Sequence, residues 1–453
     1  MKKNLEVIPS IKKKENLFLI SKECVYLSIL KGRCFYVFLF YYKVRMSLLF
    51  QGRTQYKAQS LQAIAWRKFR RNRQGMILLC LLGIITVVAI LGYLITPDNT
   101  PYANKQILEV RLMKPMSKVS FLQITKNHPV EKRSFIPKML YGQPEIHTSI
   151  PISSYFFSAD SVVITLFNES PPYNIMRYSL ADVVYPLKEG VPVLFDGEKC
   201  MFKDIDNNTY KTPLTVLQAQ VKRHIKNKTY CLGTDRYGRD VLSQLIIGAR
   251  VSLSVGFVSV FIALLIGIFL GAIAGYFRGI VDDVIMWFIN VVWSIPTLLL
   301  VIAISFVLGT GFWQIFIAIG LTMWVDIARV VRGQVISLRE KEFVEASKAL
   351  GFNSLTIIFK HILPNITGTV IVVATANFAS AILTEASLSF LGIGVQPPMP
   401  SWGTMIKENY GYIILDYAYL AIVPGFAIMM LVLCFMLIGN VFRDVMDVRE
   451  NNA

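Results

Sequence analysis

Six apolar runs, each long enough to cross a bilayer, constrain this chain more than any other feature. They cover residues 76–95, 252–276, 284–308, 313–330, 366–391 and 419–441. A helix needs about 20 mostly apolar residues to span the hydrocarbon layer, and only helices or closed barrels satisfy their backbone there. The chain is 54% hydrophobic and only 17% charged, with a mean hydropathy of +0.50. Soluble domains rarely combine these values. The expectation is an all-α polytopic membrane protein with six transmembrane helices.

The formal net charge of +18 could suggest nucleic acid, but the basic residues crowd beside the apolar runs. WRKFRRNRQ precedes residue 76 and RVVRG follows the fourth run. That is how cytoplasmic flanks look under the positive-inside rule, so no nucleic-acid partner is expected. The N-terminus is then cytoplasmic. Counting spans alternately places residues 332–365 and the tail 442–453 there too, and Arg332, Arg339, Lys341, Lys348 and Lys360 agree.

The expected organisation is a basic cytoplasmic region 1–75, a first span 76–96, an extracytoplasmic insertion 97–248, a five-helix core 249–441 and the tail. CFYVFLFYY near the start is too short to span, and no small-residue cleavage site follows it. Met46 opens a second plausible start, so residues 1–45 are expected to be a start-site artefact. N-terminal sequencing that began before Met46 would remove this idea. The insertion reads as mixed α+β or β-rich, with strands in runs such as SVVITLF and a helix near TVLQAQVKRHI. The six cysteines form no metal-binding cluster, so no metal is expected. Cys200 and Cys231 share the insertion, where the compartment permits a disulfide.

The segment EFVEASKALGFNSLTIIFKHILPN, starting at Glu342, is polar between two apolar runs. Its first part consists of good helix formers, with Phe343, Ala346 and Leu350 on one face. Gly351 suits a helix stop. Asn353 or Ser354 can cap a second helix, whose apolar face is Leu355, Ile358, Phe359 and Ile362. Pro364 is expected to close the loop before the fifth span. A helix, a sharp turn and a helix along the membrane surface would make a knob for a groove on a partner. Without a partner it is an amphipathic interfacial loop.

The spacing E-A-S-x3-G-x9-H-x-L-P resembles the EAA loop of ABC-importer permeases, and the likeness extends further. LGTDRYGRDVLSQLIIGARVSLSVGF, AGYFRGIVDDVIMWFINVVWSIPTLLL, ARVVRGQVISLREKEFVEASKALG and LTEASLSFLGIGVQPPMPSWGTMI are similar to the C-type permease subunits of the dipeptide, oligopeptide and nickel importer group. The matches cover about Leu232 to Asp447, roughly half the chain. The resemblance implies an ATP-driven importer in the bacterial inner membrane, with di- or oligopeptides as the group's default cargo. It implies a homologous second permease, two ABC ATPases holding ATP and Mg, and an extracytoplasmic binding protein. This chain would bind no cofactor. Glu345, Ala346, Ser347, Gly351, His361, Leu363 and Pro364 would couple it to the ATPase. Ser347 replaces the usual second Ala, His361 departs from the generic pattern, and Cys231 stands where Pro is usual.

GTDRYGRD could be taken for a phosphate-binding loop, since Gly233 and Gly238 have the right spacing. Arg239 and Asp240 replace the required Lys and Ser/Thr, so that chemistry fails, and ATP hydrolysis belongs to another chain. Gly233, Thr234, Asp235, Gly238, Arg239 and Asp240, with Trp402 and Gly403, are candidates for an external gate; a solvated turn and an interfacial Trp are the plainer readings. Glu385 is an intramembrane acid, either functional or packed against a neighbouring helix. The alternative function is a secondary transporter or channel without an ATPase, which would need more midplane charge. A membrane-anchored enzyme would need more than His128, His147 and His224, which no motif joins into a catalytic set.

Overall fold

The computed structural model describes residues 61–167, 174–197, 199–309 and 311–446. The chain divides between Arg67 and Lys68 into two compact units. The second unit, from Lys68 onward, holds all of the apolar runs. The question of Met46 and residues 1–45 lies outside the described residues.

A helix α1 (Leu61–Arg71) leads into α2 (Arg73–Ile90). Asn72 caps α2, its side chain accepting from the Gly75 N–H at 3.1 Å. A short α3 (Gly92–Ile95) completes the first apolar run. The polar segment after it carries strands. β1 (Ser117–Thr125) is followed by a short α4 (Phe135–Tyr141), then β2 (His147–Ser158), β3 (Ser161–Leu166) and β4 (Ile175–Ser179). After α5 (Leu180–Val184) come β5 (Leu194–Asp196), β6 (Lys199–Lys203), β7 (Thr209–Pro213), α6 (Leu214–His224) and β8 (Ile225–Tyr230). The strands form a five-stranded antiparallel sheet, order β4-β3-β2-β1-β8, and a three-stranded sheet, order β5-β6-β7. Leu122 and Ile164 of the sheet share one core with Leu180 of α5 and Leu217 of α6.

Both Cys200 and Cys231 are free, which corrects the disulfide expectation. Cys200 sits on β6 inside that core, while Cys231 is exposed just past β8. The two strands belong to different sheets, so proximity in sequence did not bring the thiols together.

The second apolar helix, α7 (Val241–Phe277), starts eleven residues before the apolar run. Part of the expected insertion, 241–248, is therefore helix. Arg250 masked this in the hydropathy pattern. Its guanidinium is satisfied internally, donating to the carbonyls of Ala89 (3.1 Å), Ile90 (2.7 Å), Met139 (2.9 Å) and Leu140 (2.8 Å).

After α7 come α8 (Gly279–Trp293), α9 (Thr297–Leu308) and α10 (Phe312–Arg339). Next are α11 (Glu342–Ala349), α12 (Ser354–Leu391), α13 (Trp402–Asn409) and α14 (Tyr419–Met446). Among the described residues α2, α7, α10, α12 and α14 are each long and apolar enough to span. The third expected span is broken: α8 and α9 meet at 92°. Pro296 has no N–H to continue the ladder and disfavours helix at Ile295. Counted as one, the pair gives a sixth span. The α7 and α10 helices pack closely through Gly267, Gly271 and Gly275. A Cβ at Gly271 would lie 2.4 Å from the Ala328 carbonyl oxygen, so small residues at four-residue spacing set this approach.

Candidate functional site

Residues 332–365 form one end of the helical core. Two ion pairs brace it: Arg332 reaches Asp282 at 2.5 and 2.6 Å, and Arg278 reaches Glu340 at 2.6 Å. The Arg278 hydrogen bond holds the Glu340 carboxyl below its usual range. Beyond them α11 rests on the core through Val344 and Ser347, with the Ser347 hydroxyl donating to the Phe343 carbonyl at 2.7 Å. Glu345 and Ala346 face outward.

The helix stops as glycine dictates. Gly351 takes φ +79°, its N–H bonds the Lys348 carbonyl, and the Phe352 N–H bonds the Ser347 carbonyl. This paired closure satisfies carbonyls that the helix end would leave bare. Asn353 then caps α12, accepting from the Thr356 N–H at 2.8 Å.

Phe343, Ala346 and Leu350 do share a face, but it is the uncovered one, with Leu350 76% exposed. Periodicity identifies an apolar face without saying what covers it. Pro364 does not close the loop, and no separate second helix lies along the surface. The helix that starts at Ser354 runs on to Leu391, through a π-helical turn at Ile357–Ile362. There the Leu363 N–H bonds the Ile358 carbonyl, five residues back. The wider turn carries the ladder into Leu363–Pro364, where Pro sits near the start of an α-helical stretch and its missing N–H costs little. Ile357, Ile358, Ile362 and Ile366 are buried, while Leu355 and Phe359 are exposed. His361 is half-buried beside Phe352, ring centroids 5.8 Å apart.

Inside the core, a cavity of about 220 Å³ opens where α8 breaks from α9. Thr297, Thr322, Asp326, Asn377, Ser380 and Thr384 give it polar walls. Asp326 lies midway along α10, is exposed, and has no ion-pair partner among the described residues. Such a group in a span faces a water-filled path or a partner chain. Arg329, one turn on, stacks its guanidinium 3.8 Å from the centre of the Trp293 ring. No motif in the sequence singled out Asp326, Asn377, Ser380 or Thr384. The signal that would have found the last three is their shared face on α12, at residues 377, 380 and 384.

The GTDRYGRD segment is a buried knot and not a solvated turn. Asp235 accepts from the Tyr237 and Arg239 N–H groups (both 2.9 Å) and from Arg239 Nε at 2.6 Å. Arg239, 6% exposed, also pairs with Glu408 of α13. Burial opposes its charge, yet Asp235 and Glu408 together raise its pKa. Thr234 receives the Met113 N–H at 2.8 Å. Asp240 caps α7, accepting from Leu242 and Ser243 N–H. Gly233 and Gly238 both take φ +73°, and a Cβ at Gly238 would lie 1.8 Å from the Ile107 carbonyl oxygen.

Trp402 is likewise buried and not at a lipid interface; its indole donates to the Leu245 carbonyl at 2.9 Å. Gly403 lets α13 approach α12, since a Cβ there would lie 2.8 Å from Ala386 Cα. Glu385 is fully buried. It accepts from Ser389 at 2.6 Å, and Ser389 lies 3.4 Å from the Ser401 hydroxyl. It is absent from the walls of the 220 Å³ cavity, so packing describes it better than cargo contact.

The chain is similar in sequence to known membrane transport proteins. Residues 267–450 match the family of binding-protein-dependent transport system inner membrane components. Residues 60–115 match the N-terminal transmembrane domain of oligopeptide transport permease C. The chain is 38% identical over 221 residues to a glutathione transport system permease of Pectobacterium atrosepticum, covering 49% of this chain and 73% of that one. It is 44% identical over 215 residues to a dipeptide transport system permease of Alkalihalophilus pseudofirmus, covering 48% and 70%. Among solved structures, the MetNI methionine ABC transporter superposes with a TM-score of 0.38 at 22% identity, over 45% of this chain and 96% of that one. The protein is therefore a multi-pass membrane transport subunit, not an enzyme, and belongs to the family of binding-protein-dependent transport inner membrane components, as a C-type permease of the peptide-importer group.

Proposed function

We propose that the chain forms half of the pathway of an ATP-driven importer of di- or oligopeptides. It would pair with a homologous second permease, assemble with two ABC ATPases, docking one of them at residues 332–365, and receive cargo from an extracytoplasmic binding protein. ATP and Mg would be held by the ATPases and no cofactor by this chain. Both termini would be cytoplasmic and residues 97–240 external. Family membership displaces the secondary transporter or channel.

One observation carries the coupling proposal. The exposed, partly apolar face of α11 is tied by the Gly351 turn to a helix that continues unbroken through the membrane. That helix, Ser354–Leu391, is 38 residues long, or about 57 Å at the usual rise. A push on Phe343, Glu345 or Leu350 would move α12 as a lever. Its polar face at Asn377, Ser380 and Thr384 would shift against Asp326, and its far end, Glu385 and Ser389, would pull on Ser401 and α13. Coupling then needs no flexible relay, only rigid-body motion. Glu345, Ala346, Gly351 and the exposed apolar residues would meet the ATPase groove. Ser347, His361, Leu363 and Pro364 would hold the knob's shape from behind.

The test is Glu345→Lys and Gly351→Asp in the assembled transporter. ATPase co-purification and peptide uptake in proteoliposomes should both fall, while the permease still inserts. Full transport with both changes would overturn the coupling role. Asp326→Asn separates the pathway from the coupling: uptake should drop while ATPase association stays intact.

A further inference from the structure

We infer that the short helix α4 rests in the membrane interface, and that the basic cavity beside it takes the headgroup of an anionic phospholipid. The inference rests on reading Arg73–Ile90 as a span and is independent of how the ATPase couples.

The depth of α4 follows from Arg250. The same guanidinium bonds Ala89 and Ile90, near the end of the first span, and Met139 and Leu140, at the end of α4. Ile90 lies five residues, about 7 Å, short of Ile95 along the helix. The end of α4 is therefore level with the last turns of a transmembrane helix, where a purely aqueous domain has no reason to be. A second tether holds it there: the Gln143 N–H bonds the Asn99 carbonyl at 2.8 Å, just past the span.

At that depth α4 presents Phe135, Ile136, Leu140 and Tyr141, between 45% and 67% exposed, next to Ile95 at 50%. No described residue covers them. Apolar and aromatic side chains on a short helix at this level suit the boundary of headgroups and acyl chains.

The polar flank of α4 has matching chemistry. A cavity of about 500 Å³ is walled by the exit of the first span, Pro97–Thr100, by Lys138 of α4 and by strands β1, β2 and β8. Its walls carry Lys105, Lys132, Arg133, Lys138, Lys226 and Lys228 against two carboxylates, Asp98 and Glu145. Both carboxylates are already engaged. Asp98 accepts from Thr100 and from the Lys105 N–H, and Glu145 pairs with Lys105. Lys228 pairs with Asp240 at 3.3 Å, and Arg133 donates to the Tyr141 and Gly142 carbonyls at 3.0 Å. The ammonium groups of Lys132, Lys138 and Lys226 have no partner among the described residues. His147 adds a buried ring nitrogen, Nδ1, without a hydrogen bond. An excess of cations held open beside a lipid-level helix calls for an anion from the same surface, and a phospholipid phosphate meets that description.

The experiment titrates the purified full-length chain in neutral detergent with phosphatidylglycerol, phosphatidylcholine or inorganic phosphate, read by native mass spectrometry. Phosphatidylglycerol should bind in preference to phosphatidylcholine. Lys132→Gln and Lys138→Gln should each weaken it by about fivefold, leaving phosphatidylcholine unchanged. Equal binding of the two lipids, or no loss in either variant, overturns the proposal. Displacement of phosphatidylglycerol by inorganic phosphate alone would make the cavity a soluble-anion site and also overturns it. A second variant tests the depth: a photo-reactive benzoyl-phenylalanine replacing Ile136, irradiated in native membranes. A phospholipid adduct supports the placement; a protein adduct or none overturns it.

Discussion

The 332–365 loop and the 233–240 knot are both polar segments with glycines at fixed spacing, yet the structure uses them in opposite ways. In the knot three of the four charges are buried and paired or capping, with Arg236 half-buried against Tyr237: Arg239 lies between Asp235 and Glu408, and Asp240 caps a helix. In the loop the charged and apolar groups of α11 point out, and only Val344 and Ser347 are covered. A closed end gains stability from its polar residues. An open end keeps them for something else. The contrast teaches that a dense polar motif is not by itself a site; what matters is whether its hydrogen bonds are already made.

The largest expected effect lies in the knot. Arg239→Ala leaves Asp235 and Glu408 without their cation, and should cost about 4 kcal/mol because a buried carboxylate is stranded. Thermal unfolding in detergent would check it, and an unchanged midpoint would mean that the end is not closed as described. Gly238→Ala comes next. The strained φ and the clash with the Ile107 carbonyl should cost about 3 kcal/mol, seen as reduced insertion and a lower midpoint. In the loop the same logic inverts. Leu350→Asp should change stability by less than about 0.5 kcal/mol, as exposed substitutions do, yet abolish ATPase retention in pull-downs. Val344→Asp, on the buried side of the same helix, should instead lower the unfolding midpoint. If the two variants behave alike, the exposed face is not special.

The smallest expected effect is pH dependence in the insertion. Burial, then the neighbouring His224, lower the His147 pKa from its ordinary 6.5. The folded state thus binds the proton less readily than the unfolded one. This contribution is present above pH 6.5 and is lost as pH falls below it. His147→Gln should flatten the acid limb of the unfolding midpoint below pH 6.5; an unaltered acid limb would remove His147 as its cause.

Much of the core was legible in the amino-acid order. The apolar runs at 313–330 and 419–441 became α10 and α14, and Gly351 and Asn353 ended and started helices as their chemistry requires. The failures have definite causes. Arg250 interrupted a hydropathy pattern because sequence does not reveal that four carbonyls from distant segments will satisfy it. The π-helical turn at Ile357–Ile362 has no period of its own, so Pro364 read as a terminator. The compartment permits a disulfide between Cys200 and Cys231, but sheet order keeps the two thiols apart and both are free. Asp326, Asn377, Ser380 and Thr384 converge on one cavity only because α8 breaks from α9 at 92° and α12 packs beside α10.

The sequence by itself determined that this chain lives in a membrane, which residues can start and stop its helices, and that its polar loop has an apolar face. Hydrophobic length, capping and glycine conformation are local properties, written in neighbouring residues. Tertiary structure alone decided which way that face points, which charges are buried in pairs, and at what depth α4 lies. Those outcomes depend on groups more than a hundred residues apart, such as Arg250 with Leu140 and Arg239 with Glu408, and no local pattern encodes which of them will meet.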